Sequence, residues 1–371
     1  MNKPKISVNQ VFWMTFSIEM AMTLYLTQSL VIHTAKQDAW MSFLIGGVIA
    51  CGITLLSVAL ARLYPDQTLV EFSRTILGRW LGKIIVVPFL AMWIFISSTL
   101  LRQFSDFFQM IMFDQTPTSV LMLMMMLIVS GLVWTGGIAS IARCSQIVGP
   151  IIMVIVVLII CLSFNNFEFE QILPVFSDSG VGALIRGSLT PASVFGDAVF
   201  LLMLTKFMEN PRQGTKKVVW GVAVVSVISS VLTLTALSIF GPALASKMLF
   251  PTFEMIRYVS LMEFIQNIEI FSTVIWFFSV FIKLSVYLFS TCYGISQWLG
   301  LKHWTRSIWV IAPAVFLIAW KFPQTGLYAS KIQVQLGLHY FMPIVLTGIP
   351  LLLWIVGTVR KRSRHTRHVD P

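Results

Sequence analysis

The sequence predicts an all-α integral membrane protein. About ten transmembrane helices form a five-plus-five inverted repeat in which helices 1 and 6 are broken. Three observations predict this: a composition too apolar for a soluble domain, ten long apolar runs, and acidic residues near mid-depth in the first and sixth of those runs.

Of the 371 residues, 57% are hydrophobic and only 11% charged, with a mean hydropathy of +0.85. A soluble domain is about 25% charged, so this chain lacks the polar surface to cover itself in water. The net charge of +11 does not indicate nucleic acid. The basic residues fall in short clusters between apolar runs, and no domain-sized soluble segment exists to carry a nucleic-acid-binding fold. The cysteines Cys51, Cys144, Cys161 and Cys292 lie in or beside apolar runs without C-x-x-C spacing, which suggests packing rather than a disulfide framework or a zinc site. The basic start MNKPK leads into a long run without a small-residue cleavage site, so it reads as a retained span.

A helix needs about 20 apolar residues to cross the hydrocarbon core. The runs that satisfy this are approximately 9–32, 40–63, 84–112, 118–141, 145–164, 184–207, 217–240, 265–290, 304–321 and 334–358. Turn-forming and charged stretches separate several of them, as in YPDQ, FDQTP, VGP, MENPRQG, GPA and KFPQTG. An even count puts both ends on one side. Lys36, Arg186, Lys247, Arg257, Lys321 and Lys331 fall in segments on the far side, and Arg102 and Lys283 fall within spans. The remaining 18 of the 26 Lys and Arg share the side of the termini, which makes that side cytoplasmic.

Between spans 2 and 3, residues 68–83 place Leu69, Phe72, Ile76, Leu77 and Trp80 at helical spacing among Arg74, Arg79 and Lys83. This predicts an amphipathic helix in the cytoplasmic interface, serving as a structural elbow or as a docking surface for another protein. The chain ends in a basic tail, 359–371, which reads as a stop-transfer anchor that attracts anionic lipid.

Ten spans divide into a first repeat, 9–164, and a second, 184–358. In inverted-repeat transporters the binding site lies at the midplane, where discontinuous helices unwind. Span 1 contains FSIEMAMTLYL, with Glu19 followed by Ala21 and Thr23. Span 6 contains Pro191, Gly196 and Asp197. Pro191 and Gly196 weaken span 6 clearly; span 1 is weakened less. A carboxylate at mid-bilayer is costly, by about 2.5–3.5 kcal/mol on insertion scales, and normally faces a bundle interior. Glu19, Ala21, Thr23, Gly196 and Asp197 are therefore the candidate ligand-binding residues. The two acids serve to bind a ligand ammonium, to bind a cation, to carry a proton, or as structural acids.

Lys283 in span 8 is a candidate ion or proton site. Its ammonium stands in for a cation beside the broken part of span 1, paired with Glu19, or else it snorkels to the interface. Arg102 and Asp106, four residues apart in span 3, read as a structural ion pair. The chain has no Walker A, H-E-x-x-H or G-x-S-x-G motif, and its histidines do not cluster, so neither an enzyme nor a metal site or cofactor is expected.

The order of landmarks resembles a known family. ISVNQVFW leads into span 1, AKQDAWMS precedes span 2 and YPDQTLVEFSRTILGRWLGK follows it. DQTP, GGIASIARCSQIVGP and ILPVF come next, so that the set covers most of residues 6–210. The set is similar to the B subunit of bacterial spore germinant receptors, the GerAB-like spore germination proteins of the amino acid–polyamine–organocation transporter superfamily. Ala21 and Thr23 stand where that family usually has glycine. The resemblance implies a multi-pass subunit of the spore inner membrane that senses an amino acid or sugar. It further implies partnership with a membrane-bound A subunit and a lipoprotein C subunit. A proton- or cation-coupled amino-acid permease is the alternative.

Overall fold

The computed structural model describes residues 5–23, 27–176, 180–260, 269–323 and 340–366. The starts of expected spans 8 (265–268) and 10 (334–339) and the end of the basic tail (367–371) lie outside them. Among the described residues all regular structure is helical, apart from one isolated parallel bridge between Ile6 and Met208.

The helices are α1 (Val8–Thr23), α2 (Thr27–Ala35), α3 (Ala39–Leu63), α4 (Leu69–Leu77), α5 (Leu81–Ile84), α6 (Val87–Ile111) and α7 (Thr118–Ser163). They continue as α8 (Gly180–Phe195), α9 (Leu201–Leu204), α10 (Pro211–Ala245), α11 (Pro251–Ser260), α12 (Glu269–Leu299), α13 (Ile308–Lys321) and α14 (Ile349–Thr366). Seven helical runs among the described residues are long and apolar enough to cross a membrane on their own. The run that contains α7 carries two spans. Among the described residues, α1 and α2 lie in the expected first span, with residues 24–26 between them outside the description, and α13 lies in the expected ninth.

Several expected boundaries move. Spans 4 and 5 meet at Gly137 rather than in a loop after residue 141, because Gly137 takes φ +52° and turns the chain within one residue. Helix α12 continues to Leu299, nine residues past the expected end of span 8, with Ser290, Thr291 and Ser296 buried rather than marking a surface loop. Helix α14 runs through the basic stretch to Thr366, so the first part of the expected tail is helical.

The expected amphipathic helix at 68–83 is shorter. A capping box at Thr68 starts α4: the Thr68 hydroxyl accepts from the Glu71 N–H, and the Glu71 carboxylate accepts from the Thr68 N–H. Gly78, at φ +88°, stops the helix. Leu69, Phe72 and Ile76 are buried as expected, whereas Trp80, beyond the turn, is 79% exposed.

Glycine governs the close packing around the broken sixth span. A Cβ on Gly46 of α3 would lie 2.6 Å from Pro191 Cγ and 2.8 Å from the Ser188 carbonyl of α8. One on the adjacent Gly47 would lie 2.4 Å from Ser226 Cβ of α10. Helix α3 is thus wedged between α8 and α10 at a separation only small residues allow.

Candidate functional site

The break in span 6 follows from its residues. Pro191 has no N–H to give to the helix, and α8 ends at Phe195. Gly196–Phe200 then forms a tighter 3-10 turn before α9 resumes. This turn carries Asp197, 3% exposed, into the core. In span 1, α1 ends at Thr23 and α2 begins at Thr27. The Ala21 carbonyl, in the last turn of α1, accepts a hydrogen bond from Trp276 Nε1 of α12 at 3.0 Å.

Helix α12 joins the two breaks. Trp276, Ser279, Lys283 and Tyr287 recur every three or four residues and share one face. Lys283 Nζ lies 2.8 Å from Asp197 Oδ2, and the Tyr287 hydroxyl donates to the same oxygen. The Lys283 ammonium also sits over the Tyr287 ring, 5.4 Å from its centroid. Glu19, Lys283 and Tyr287 are fully buried. Glu19 lies within electrostatic reach of Asp197, Lys283 and Tyr287, so four ionisable groups from three elements form one cluster. Asp197 Oδ1 is buried and has no hydrogen-bond partner among the described residues.

Aromatic rings flank the cluster along α12 in both directions. Toward α11, Trp276 packs on Phe107 at 4.6 Å between centroids, and Phe107 in turn meets Phe250 and Phe253 at 5.2 and 5.3 Å. Toward the end that carries α4, Phe289 meets Phe207, Tyr293 and Trp304 at 5.7, 5.5 and 5.2 Å. Trp276 and Phe289 stand seven residues before and six after Lys283, roughly 9–11 Å along the helix.

The expected site residues fall differently around this cluster. Glu19 and Asp197 are brought together with Lys283. Ala21 is buried beside Trp276. Gly196 faces apolar groups instead: a Cβ there would lie 3.1 Å from Ile53 Cδ1 and 3.5 Å from Leu346 Cδ1. Thr23 is the last described residue of α1, and its side chain lies outside the described residues. Lys283 was expected to snorkel or to pair with Glu19. It is fully buried, so it does not snorkel; Asp197 Oδ2 stands 2.8 Å from its ammonium because the 3-10 turn carries that carboxylate to α12, and Glu19 lies within electrostatic reach of it. Sequence reasoning missed Tyr287 and Trp276. Tyr287 carried a usable signal, since it stands one turn after Lys283 on the same face.

Arg102 and Asp106 do pair, at 2.9 Å. At the α4 end, Lys206 contacts both Glu71 carboxylate oxygens at 2.5 and 2.7 Å, and Arg74 donates to the carbonyls of Gln297 and Trp298 where α12 ends. The N-terminal segment joins the same end, since Ile6 donates to the Phe207 carbonyl and accepts from the Glu209 N–H.

Comparisons with known proteins agree with this architecture. The closed structure of Mhp1, a nucleobase-cation-symport-1 family transporter with bromovinylhydantoin bound, matches 95% of this chain and 78% of its own. The TM-score is 0.69 at 11% identity. A Na+-coupled sialic acid symporter in a substrate-bound outward-open state matches 93% of this chain and 78% of its own, with a TM-score of 0.63 at 14% identity. At these identities the likeness concerns the fold. Among curated proteins, spore germination protein YndE of Bacillus subtilis (strain 168) is 29% identical over 257 residues, 68% of this chain and 69% of its own. Spore germination protein KB of the same organism is 23% identical over 278 residues, 73% and 72% of the two chains. The family model described as spore germination protein matches residues 5–325. This helical membrane protein, with a buried charge cluster beside its broken sixth span, therefore belongs to the spore germination protein family.

Proposed function

We propose that the chain is the membrane subunit of a spore germinant receptor. It binds a small nutrient, an amino acid or a sugar, in a midplane pocket at the breaks in spans 1 and 6. The observation that carries this reading is the Glu19–Asp197–Lys283–Tyr287 cluster, buried at those breaks and flanked by aromatic rings on both sides. A purely structural bundle gains little from charges held in such a place, since well-packed apolar residues serve at least as well. Glu19, Ala21, Thr23, Gly196 and Asp197 remain the proposed ligand-binding residues, with Lys283 as the internal cation. The two repeats, 9–164 and 184–358, move against each other around this point, and the basic tail 359–371 stays with the termini on the cytoplasmic face of the spore inner membrane.

Signalling requires that the nutrient bind one arrangement of the repeats better than the other, because a ligand without such a preference shifts no population. The flanking aromatic groups are the elements such a shift would rearrange. The subunit would pass the change to A and C partner subunits within the bilayer. A second reading, a proton- or cation-coupled amino-acid permease, is favoured by one specific observation: both solved structures reported above are described as transporters that co-move a cation.

The test is germination of a deletion strain across a panel of amino acids and sugars, complemented with the wild-type or the Asp197→Asn chain. Loss of response to one nutrient, restored by wild type and displaced to higher concentration by Asp197→Asn, is the expected outcome. An unchanged response to every nutrient contradicts the receptor reading. Time-dependent accumulation of labelled amino acid in proteoliposomes of the purified chain would establish the permease instead.

A further inference from the structure

We infer that α4 is a strap across the inner ends of span 6 and α12, and that the strap and the buried charge cluster open together. The inference goes beyond the receptor reading. It holds whichever ligand the cluster takes, so the nutrient panel and the test below can fail separately.

Two elements leave the cluster in the same direction and meet the same short helix. From Lys283, α12 runs unbroken to Leu299, which sets Gln297 roughly 21 Å farther along one rod. From Asp197, a 3-10 turn, α9 and a second 3-10 turn bring the chain to Lys206. Helix α4 grips both ends. Glu71 takes the Lys206 ammonium on its two carboxylate oxygens, at 2.5 and 2.7 Å. Thr68, at the start of the helix, donates to Gln297 Oε1 at 2.7 Å. Arg74 donates to the Gln297 and Trp298 carbonyls at 2.8 and 3.0 Å.

These contacts close a ring. At one end Asp197 holds Lys283; at the other, α4 holds Lys206 and Gln297. If the span 6 turn moves away from α12 at the cluster, the two sides of the ring shift against each other, and α4 must release one of them. It cannot bend to follow. It is nine residues long, a capping box fixes its first turn, and Gly78 ends its last. It is also tied from behind, since Arg360 of α14 donates to the Thr75 carbonyl at 3.2 Å. The Glu71 and Lys206 side chains are 35% and 15% exposed. Water can therefore replace that contact, and the strap can be released at small cost.

Behind the strap lies Ser290 of α12, fully buried, its hydroxyl without a hydrogen-bond partner among the described residues. One turn on, a Cβ on Gly294 would meet Leu90, Met203 of α9 and Val70 of α4 at 2.8, 3.5 and 3.9 Å. Helix α4 thus helps to seal the approach to Ser290.

The experiment uses the purified full-length chain in detergent, with its four cysteines replaced by alanine and one reporter added. Ser290→Cys reports on the strap side of the cluster, and Ser279→Cys, one turn before Lys283, on the other side. The reagent is 2-aminoethyl methanethiosulfonate. Lys206→Met and Arg74→Met, singly and together, should each speed labelling of Ser290→Cys by about fivefold or more, while Ser279→Cys keeps its rate. Arg79→Met, on the exposed turn after α4, should change neither. Unchanged labelling of Ser290→Cys in both single variants overturns the inference, and so does an equal rise at both reporters, which would mean general loosening. Coupling is reciprocal, so a second measurement needs no strap variant. Tyr287→Phe removes the hydroxyl that donates to Asp197, and amide hydrogen exchange in α4 should then quicken by about fivefold or more while that in α13 does not. Unchanged exchange in α4 overturns the inference from the cluster side.

Discussion

Replacing Lys283 by Met tests the cluster most sharply. The change keeps an unbranched chain of similar length and removes the ammonium that stands 2.8 Å from Asp197 Oδ2. Both partners are almost completely shielded, with side-chain exposures of 0% and 5%, so water cannot take over the lost contact. Asp197 would keep the Tyr287 hydroxyl and little else. Breaking a buried pair by removing one partner typically costs about 3–5 kcal/mol, because the remaining charge is uncompensated. Removing both charges, as in Lys283→Met with Asp197→Asn, should recover about 2 kcal/mol or more of that loss. The assay is equilibrium unfolding of the four purified proteins in mixed detergent micelles, read by tryptophan fluorescence. Losses below about 1 kcal/mol in Lys283→Met, with strictly additive behaviour in the double variant, would refute the reasoning.

Three further outcomes are expected. Gly46→Ala should destabilise the protein by about 1–3 kcal/mol in the same assay, because the new methyl meets Pro191 and the Ser188 carbonyl at 2.6–2.8 Å; Gly52→Ala, whose Cβ meets nothing within 4 Å, is the control. Trp276→Phe keeps an aromatic ring but removes the indole N–H that donates to the Ala21 carbonyl, and a loss of about 1 kcal/mol or more should follow. Glu71→Gln weakens the contact to Lys206. As these side chains are 35% and 15% exposed, its effect on stability should stay within about 1 kcal/mol, while a cysteine placed near Lys206 should react faster with a water-soluble maleimide.

Much of the architecture was legible because a membrane imposes a coarse pattern. Apolar runs must be about 20 residues long, and charges within them are conspicuous, which is why Glu19, Asp197, Lys283 and the Arg102–Asp106 pair stood out. The break in span 6 was legible for the same kind of reason: Pro191 and Gly196 act locally. What was not legible depends on how separated segments pack. Nothing in the neighbourhood of Lys283 says that it meets Asp197, 86 residues away. That meeting is set by the 3-10 turn and by which face of α12 is presented to it. Gly196 was legible as a helix-weakening residue, whereas the side on which a Cβ there would meet Ile53 and Leu346 was not. Trp80 fitted the helical spacing of Leu69, Phe72 and Ile76, but Gly78 ends the helix before the pattern can place it. The aromatic groups on either side of the cluster were invisible in sequence, since Phe107 and Phe207 reach Trp276 and Phe289 of α12 from distant parts of the chain.

The central claim is that the buried cluster at the two helix breaks is where a small nutrient binds. Equilibrium binding of the labelled nutrient identified by the germination panel, measured on the purified full-length chain and on Asp197→Asn, tests it most directly. Saturable binding at one site in wild type is expected, with affinity lower by about tenfold or more in the variant. Equal affinity for the two proteins, with the variant folded, would contradict it.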